Sequence, residues 1–385
     1  MKKLIVPLFL QFSLLGFCKA QNLTIIEQDY NLARQESIAQ KKMLIIDFYA
    51  TWCGPCKVMD KKVFNDSLLS SELSKNFVLL KYNSEKDSVF NLALKHHIKL
   101  YPTYIIINTD GYVVNKQFGT GSNNYDEIPV RYSKFIKESI LLNQEDKFIK
   151  GVSNSINLVY PKEAFITEKD ERREKINAFL LSQEDRFSEI FFILSTMYLN
   201  EPLIQNFIVK NRQKYENLFG ESDVYNLVKS IFYSKLFADV AIKDTVSFNQ
   251  TIHVANANLK SNDFRTISNN MQNRMDIATR DFDKVIQRIN DRKIKKEVEI
   301  FEINSVCWNI YEVCENEGVL KKCADLMKDV TEEKPEFGTI DTYARILYKM
   351  GDKERAKIEM AKGIKIGKIN NDSIEDSEKW LKSIK

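Results

Sequence analysis

Cys53 and Cys56 enclose Gly54-Pro55 and follow Trp52. A pair of thiols at this spacing can bind a metal, staple a fold or exchange disulfides. If a helix opens at the pair, the first sulfur lies beside free backbone N–H groups and the positive end of the helix dipole. That placement favours the thiolate and brings the thiol pKa to around 7. Cys56, one turn in, can then attack a mixed disulfide formed on Cys53. Pro55 lacks an N–H where the first helical turn needs none, and Gly54 lets another backbone approach. A short disulfide loop of this kind is labile, which favours exchange over a staple. A structural zinc site takes four ligands. Only His96, His97 and His253 could supply imidazoles, and Cys307, Cys314 and Cys323 do not form a second Cys-x-x-Cys. No metal is expected.

Two further groups bear on the chemistry. Asp47 falls inside the apolar run Met43–Tyr49. Burial there would raise its pKa, so that it exchanges protons near neutrality and accepts the proton of Cys56. The alternative is a carboxylate facing solvent at a strand edge. Tyr101-Pro102-Thr103 precedes another apolar run, and a proline there marks a turn or strand start. A cis bond would set its ring beside the thiols and present the Tyr101 backbone to a substrate chain, but spacing does not establish one.

The elements that must hold these groups alternate in type. A helix is expected over about Thr24–Lys41, then a buried strand at Met43–Tyr49 and a helical stretch from Lys57 to about Lys75. Phe77–Tyr82 reads as the next strand and residues 86–97 as helical. Thr103–Ile107 and Tyr112–Val114 read as strands joined through Asp110-Gly111, a hairpin signal. Ile128–Leu142 closes with a helix.

The run Asp47-Phe-Tyr-Ala-Thr-Trp-Cys-Gly-Pro-Cys-Lys57 resembles the active-site strand and helix start of thioredoxin. Tyr101-Pro102-Thr103 is similar to its cis-proline loop, and Asp110-Gly111 and Phe118-Gly119 to its later hairpin and glycine. The helix ahead of Met43 and Val63-Phe64-Asn65-Asp66 are more similar to a branch of exported thioredoxin-like proteins. That branch includes the C-terminal domain of the membrane transporter that carries electrons to periplasmic thiols. The resemblance covers about 120 residues, under a third of the chain. It implies an α/β thioredoxin fold, a mixed central sheet flanked by helices, over residues 22–142. It also implies Cys53 as nucleophile, Cys56 as resolving thiol, the two as a redox disulfide, Asp47 as proton-relay acid and Pro102 as a cis proline. Substrate would meet Trp52, Gly54, Pro55, Tyr101 and Pro102. Tyr101 stands where a smaller aliphatic residue is common. No cofactor is implied.

The chain has 385 residues, 44% hydrophobic and 29% charged, enough for a globular core. A net charge of +4 from 57 basic and 53 acidic residues is too small a bias to argue for nucleic acid. Lys2-Lys3, the apolar run Leu4–Phe17 and Cys18-Lys19-Ala20 read as a signal peptide over residues 1–20. The mature protein is therefore expected in the periplasm or cell envelope of a bacterium. Lipid attachment at Cys18 is an alternative that the bulky Phe17 disfavours.

Residues 143–160 are polar and read as a linker, and 161–385 as an all-α, repeat-like domain. Ile340–Ile364 resembles a tetratricopeptide repeat, with Ala344 and Ala356 at small sites. Gly318, Cys323 and Pro335 fall at the matching places one period of about 33–34 residues earlier, so the repeats fall near 303–368. Tyr311 makes the earlier copy degenerate. Residues 241–275, rich in Asn, Ser and Thr, fit a loop or a helix. Cys307 and Cys314 share a helix face but lie about 10 Å apart and cannot pair. Cys314 could pair with Cys323, though buried free thiols are favoured.

Together these readings give an exported thiol–disulfide oxidoreductase of reducing type. Its partners would be disulfide-containing proteins and a membrane thiol reductant. The helical part would bind a client, as a peptide or a protein. The rival is a helical-repeat assembly protein of the envelope whose thioredoxin domain is accessory.

Overall fold

The computed structural model describes residues 22–122 and 124–384. The expected signal peptide and Cys18 lie outside the described residues. The described residues form two compact units, which divide between Val228 and Lys229.

The first unit is built on a five-stranded sheet in the order β1-β3-β2-β4-β5. Its strands are β1 (Ile25–Glu27), β2 (Met43–Tyr49), β3 (Phe77–Asn83), β4 (Thr103–Ile107) and β5 (Val113–Phe118). β1, β3 and β2 run parallel, while β4 is antiparallel to both β2 and β5. β2 is central, and all but its last residue are buried. That is why its sequence is a continuous apolar run instead of an alternating one. Helices α1 (Tyr30–Ala39), α2 (Gly54–Met59), α3 (Ser67–Ser74), α4 (Leu92–Lys95) and α5 (Ile128–Gln144) flank the sheet. This is the mixed α/β thioredoxin fold.

Three expected helices are shorter than their patterns suggested. Thr24–Lys41 is not one helix. Ile25 and Ile26 pair with Leu79 and Leu80 as a strand, Gln28 turns the chain at φ 62°, and Asp29 caps α1 through the Leu32 N–H. β-branched residues favour the strand, and the Asp N-cap sets where the helix starts. The stretch 57–75 passes from α2 through a π-helical turn at Asp60–Phe64, then restarts at α3 with Asp66 as N-cap. Of residues 86–97 only α4 is helical, because Asp87 takes the Tyr82 hydroxyl and the Ala93 N–H.

The first unit continues through α6 (Lys169–Ser182), α7 (Glu189–Tyr198), α8 (Pro202–Lys210), α9 (Arg212–Phe219) and the start of α10 (Glu221–Ile242). These helices pack on the thioredoxin core. Phe192 stacks on Phe219 with ring centroids 4.0 Å apart and meets His97 edge-on. His96 and His97 are both buried, so they are packing residues and not surface ones. Buried charges join the two parts. Lys95 pairs with Glu189 at 2.7 Å and Lys116 with Asp223 at 2.7 Å. His97 Nε2 lies 3.1 Å from the same Asp223 oxygen. Burial alone would raise the Asp223 pKa, but Lys116 and His97 outweigh it and hold the carboxyl below its ordinary range.

The passage between α5 and α6 carries no long element, yet it is tied down. The Ile149 N–H donates to the Val113 carbonyl at 2.8 Å and the Gly151 N–H to the Leu218 carbonyl at 2.6 Å. A Cβ at Gly151 would sit 2.7 Å from the Phe219 ring and 2.8 Å from the Leu218 oxygen. Neither can retreat far. Gly151→Ala is therefore expected to destabilise the first unit by about 2 kcal/mol, read as a lowered urea midpoint.

The second unit is helical. α11 (Thr245–Asn258) and α12 (Ser261–Ala278) answer the question left open for 241–275: both segments are helices, α11 capped by Asp244. α13 (Phe282–Ile294), α14 (Ile300–Val313), α15 (Glu317–Glu333), α16 (Phe337–Lys349), α17 (Lys353–Asn370) and α18 (Glu375–Ser383) follow. Ala344 and Ala356 are fully buried, and a Cβ at Gly363 would lie 3.0 Å from Ile340, so α16 and α17 approach closely. Cys307, Cys314 and Cys323 are buried free thiols. The neighbour of Cys323 is Cys307, whose sulfur lies 3.9 Å from the Cys323 carbonyl oxygen. Among the described residues, no helix is long and apolar enough to cross a membrane.

Candidate functional site: the Cys53–Cys56 disulfide

β2 delivers Asp47 to the middle of the sheet and ends at Tyr49, and the chain then turns through Ala50–Trp52 into α2. Cys53 is the N-cap of that helix. Its sulfur accepts the Cys56 backbone N–H at 3.1 Å, with Pro55 in the first turn. Cys53 and Cys56 are joined as a disulfide, with Cα atoms 5.4 Å apart. Both are buried against Ala50, Tyr49 and Tyr101. A sulfur in this place receives one of the helix's free N–H groups directly, the condition that favours a thiolate once the bond is opened.

The Tyr101–Pro102 peptide bond is cis. The Pro102 carbonyl accepts the Gly119 N–H at 2.8 Å, and the Thr103 hydroxyl donates to the Leu100 carbonyl at 2.8 Å. These bonds fix the loop ahead of β4. Pro55, Tyr101, Pro102 and the turn Phe118–Ser122 line an open groove of about 490 Å³. Trp52 stands at the rim, 69% exposed, with its ring edge-on to Tyr101 at 5.9 Å. Gly54 is open to solvent, with nothing within 4 Å of a Cβ built there.

Asp47 is 2% exposed, so the solvent-facing alternative does not hold. In register it lies between Lys81 of β3 and Tyr104 of β4. Its Oδ2 pairs with the Lys81 ammonium at 2.9 Å, and Lys81 also engages Asp60. Burial pushes the Asp47 pKa up to about 6, against the pull of Lys81 and with a small push from Asp60. Lys81 is itself raised: burial works to lower it, but Asp47 and Asp60 together prevail. Among the described residues, Asp47 Oδ1 and the buried hydroxyls of Tyr104 and Tyr132 have no hydrogen-bond partner. A carboxyl with one free oxygen and a pKa of about 6 can take up a proton on that oxygen while the other keeps its hydrogen bond from Lys81.

Sequence reasoning missed three polar residues of this site. Lys81 and Asp60 hold Asp47, and a lone charge inside the apolar run Phe77–Tyr82 was the available signal. Glu85 was the third. Its carboxylate accepts the Trp52 indole N–H at 3.1 Å, the Thr51 N–H at 3.0 Å and the Thr51 hydroxyl at 2.9 Å. The Thr51 N–H and hydroxyl hold its pKa below the ordinary value. Glu85→Ala is expected to release Trp52 and lower kcat/KM for a protein disulfide about fivefold, with a shifted tryptophan emission as the check.

A disulfide that opens a helix directly after the central strand, facing a cis-proline loop, defines a thioredoxin-fold redox site. Residues 25–109 match the family described as Thioredoxin-like. A thioredoxin H-type of Picea mariana is 34% identical over 93 residues, 24% of this chain and 68% of that protein. The chain belongs to the thioredoxin-like family. It is also similar to the thiol:disulfide interchange protein DsbD of Vibrio vulnificus (strain CMCP6), 34% identical over 84 residues, 22% of this chain and 13% of that one. Thioredoxin-T of Drosophila melanogaster is 34% identical over 77 residues, 20% of this chain and 46% of its own length. The match thus spans less than half the length of these last two relatives.

Proposed function

We propose that the protein is an exported thiol–disulfide oxidoreductase that reduces disulfides in protein clients. The observation that carries this reading is the Cys53 sulfur, which accepts the Cys56 N–H at a helix start next to the open groove of Pro55, Tyr101 and Pro102. In the reduced protein the Cys53 thiolate attacks a client sulfur. A mixed disulfide forms, and the client's second sulfur leaves as a thiolate. Cys56 then loses its proton to Asp47 and attacks Cys53, which releases the reduced client and restores the Cys53–Cys56 bond. Trp52, Gly54, Pro55, Tyr101 and Pro102 form the surface on which the client chain lies.

The Gly-Pro dipeptide supports the reducing direction, near the thioredoxin potential of about −270 mV. The charged and apolar opening residues support export, and the likeness to a thiol:disulfide interchange protein supports disulfide exchange. Outside the cytoplasm the reductase needs a fresh electron pair after each turnover, so a membrane thiol reductant is part of the proposal. The helical second unit, with tetratricopeptide-like spacing near 303–368, recruits clients. The test is turnover of insulin disulfides with dithiothreitol as electron source, together with a glutathione-buffered titration of the Cys53–Cys56 pair. A pair that stays oxidised under thioredoxin-reducing conditions and no insulin turnover would overturn the reading.

A further inference from the structure

The second unit holds a polar channel that the thiol chemistry does not use. A cavity of about 550 Å³ opens among α12, α13 and α14. A second of about 360 Å³ abuts it, and the two share Arg274, Ile277 and Asn309. We propose that this channel binds an extended polypeptide segment bearing acidic side chains.

The amides come first. Asn269, Asn270 and Asn273 of α12 and Asn309 of α14 line the larger cavity. A carboxamide offers both donors and an acceptor. These match the unpaired N–H and C=O groups of an extended backbone. Arg288 engages Asn273 Oδ1 and Asp276 Oδ2, so the amino group of Asn273 is the part left for a ligand.

Charge selects the side chains. Among the described residues, Arg265, Arg274 and Lys296 have no carboxylate partner; Arg265 reaches Asn262 and Arg274 reaches Asn270. Lys243 and Arg280 add positive charge to the smaller cavity. Arg265 and Arg274 are nine residues apart, about 13 Å along the helix. An extended chain covers that distance in about four residues. Glu297 and Glu299 also line the larger cavity and Glu312 the smaller one, so the acidic side chains of the segment are placed at Arg265, Arg274 and Arg280. Phe301, 80% exposed in the lining of the larger cavity, offers a face to an apolar side chain.

The channel is also held in shape. Arg292 of α13 pairs with both carboxylate oxygens of Glu302 of α14, the Nη2–Oε2 bond being 3.0 Å. A preformed wall lowers the ordering that binding must overcome.

This inference rests on the client-recruiting part of the proposed function and gives it a place and a chemistry. The test uses the full-length protein and a fluorescent, cysteine-free decapeptide with Glu at every fourth position, read by anisotropy. Saturable binding is expected, about tenfold weaker for the Glu→Gln peptide and for the Arg274→Glu protein. Binding should also weaken as salt is raised. Equal affinity for the Glu and Gln peptides, or no saturable binding, overturns the proposal. So does an Arg274→Glu protein with native circular dichroism that binds as the parent does. If that variant does not fold, the exposed Arg265→Glu carries the same expectation. The parent's turnover of a small aromatic disulfide separates the two readings. Turnover without peptide binding sinks the channel alone, and peptide binding without turnover sinks the oxidoreductase alone.

Discussion

Cys53→Ser protein is expected to reduce insulin no faster than dithiothreitol does alone, a loss of about a thousandfold or more. A serine oxygen at the start of α2 can still accept the Cys56 N–H, so the fold has little reason to change. What disappears is the sulfur proposed as the nucleophile. Cys56 lies one turn inside the helix and lacks the N-cap place at which the Cys53 sulfur receives a free backbone N–H. Cys56→Ala should fail differently. Its Cys53 still attacks, but nothing resolves the product, so a mixed disulfide with the client accumulates. On a gel this is a larger species that vanishes with excess dithiothreitol. A Cys53→Ser protein that keeps a tenth of the activity would move the nucleophile elsewhere.

The second large effect belongs to Asp47, and it has two signs. In the proposed role of proton acceptor for Cys56, the carboxylate works only when ionised. The resolving step should therefore quicken as pH rises through about 6, the value to which burial lifts this group. Asp47→Asn removes that rise and slows resolution at neutral pH by about a hundredfold. Stopped-flow decay of the mixed disulfide measures it.

Stability goes the other way. The folded pKa lies above the ordinary value of 3.8, so folding favours the protonated acid. That contribution is fully present below about pH 4 and is lost as pH rises through about 6. At pH 8 the ionised group should destabilise the fold by up to about 3 kcal/mol. Asparagine escapes this, and Asp60 still accompanies Lys81. The variant should thus unfold at higher urea than the parent at pH 8, and at the same urea near pH 3. A variant as fast as the parent would leave Asp47 a structural role only.

The site was largely legible in the sequence because its parts are local. Cys53, Cys56, Trp52 and Pro55 lie within five consecutive positions, and Asp47 announces itself as a charge inside an apolar strand. Pro102 is marked by its position before β4, although its isomer is not written in any spacing. What escaped depends on distant partners. Lys95 and Lys116 look like ordinary surface lysines until chain segments 94 and 107 residues away close over them. Periodicity misled at Thr24–Lys41, where three residues of strand precede the helix and only a cap divides them. The Asn-, Ser- and Thr-rich stretch was undecidable because such side chains compete with helical hydrogen bonds in isolation. Packing of Leu236, Phe248, Met271 and Met275 settles the matter in the folded chain.

The buried pairs Lys95–Glu189 and Lys116–Asp223 have a consequence for anyone who would transplant this redox centre. A fragment trimmed to the region alignable with thioredoxins would return both ammonium groups to water, but it would also bare the buried face at His96 and His97, where Phe192 and Asp223 pack on His97. The smallest portable cassette therefore extends through the companion helices to about residue 228. Insertion of foreign helices at that seam would need acidic side chains at both stations.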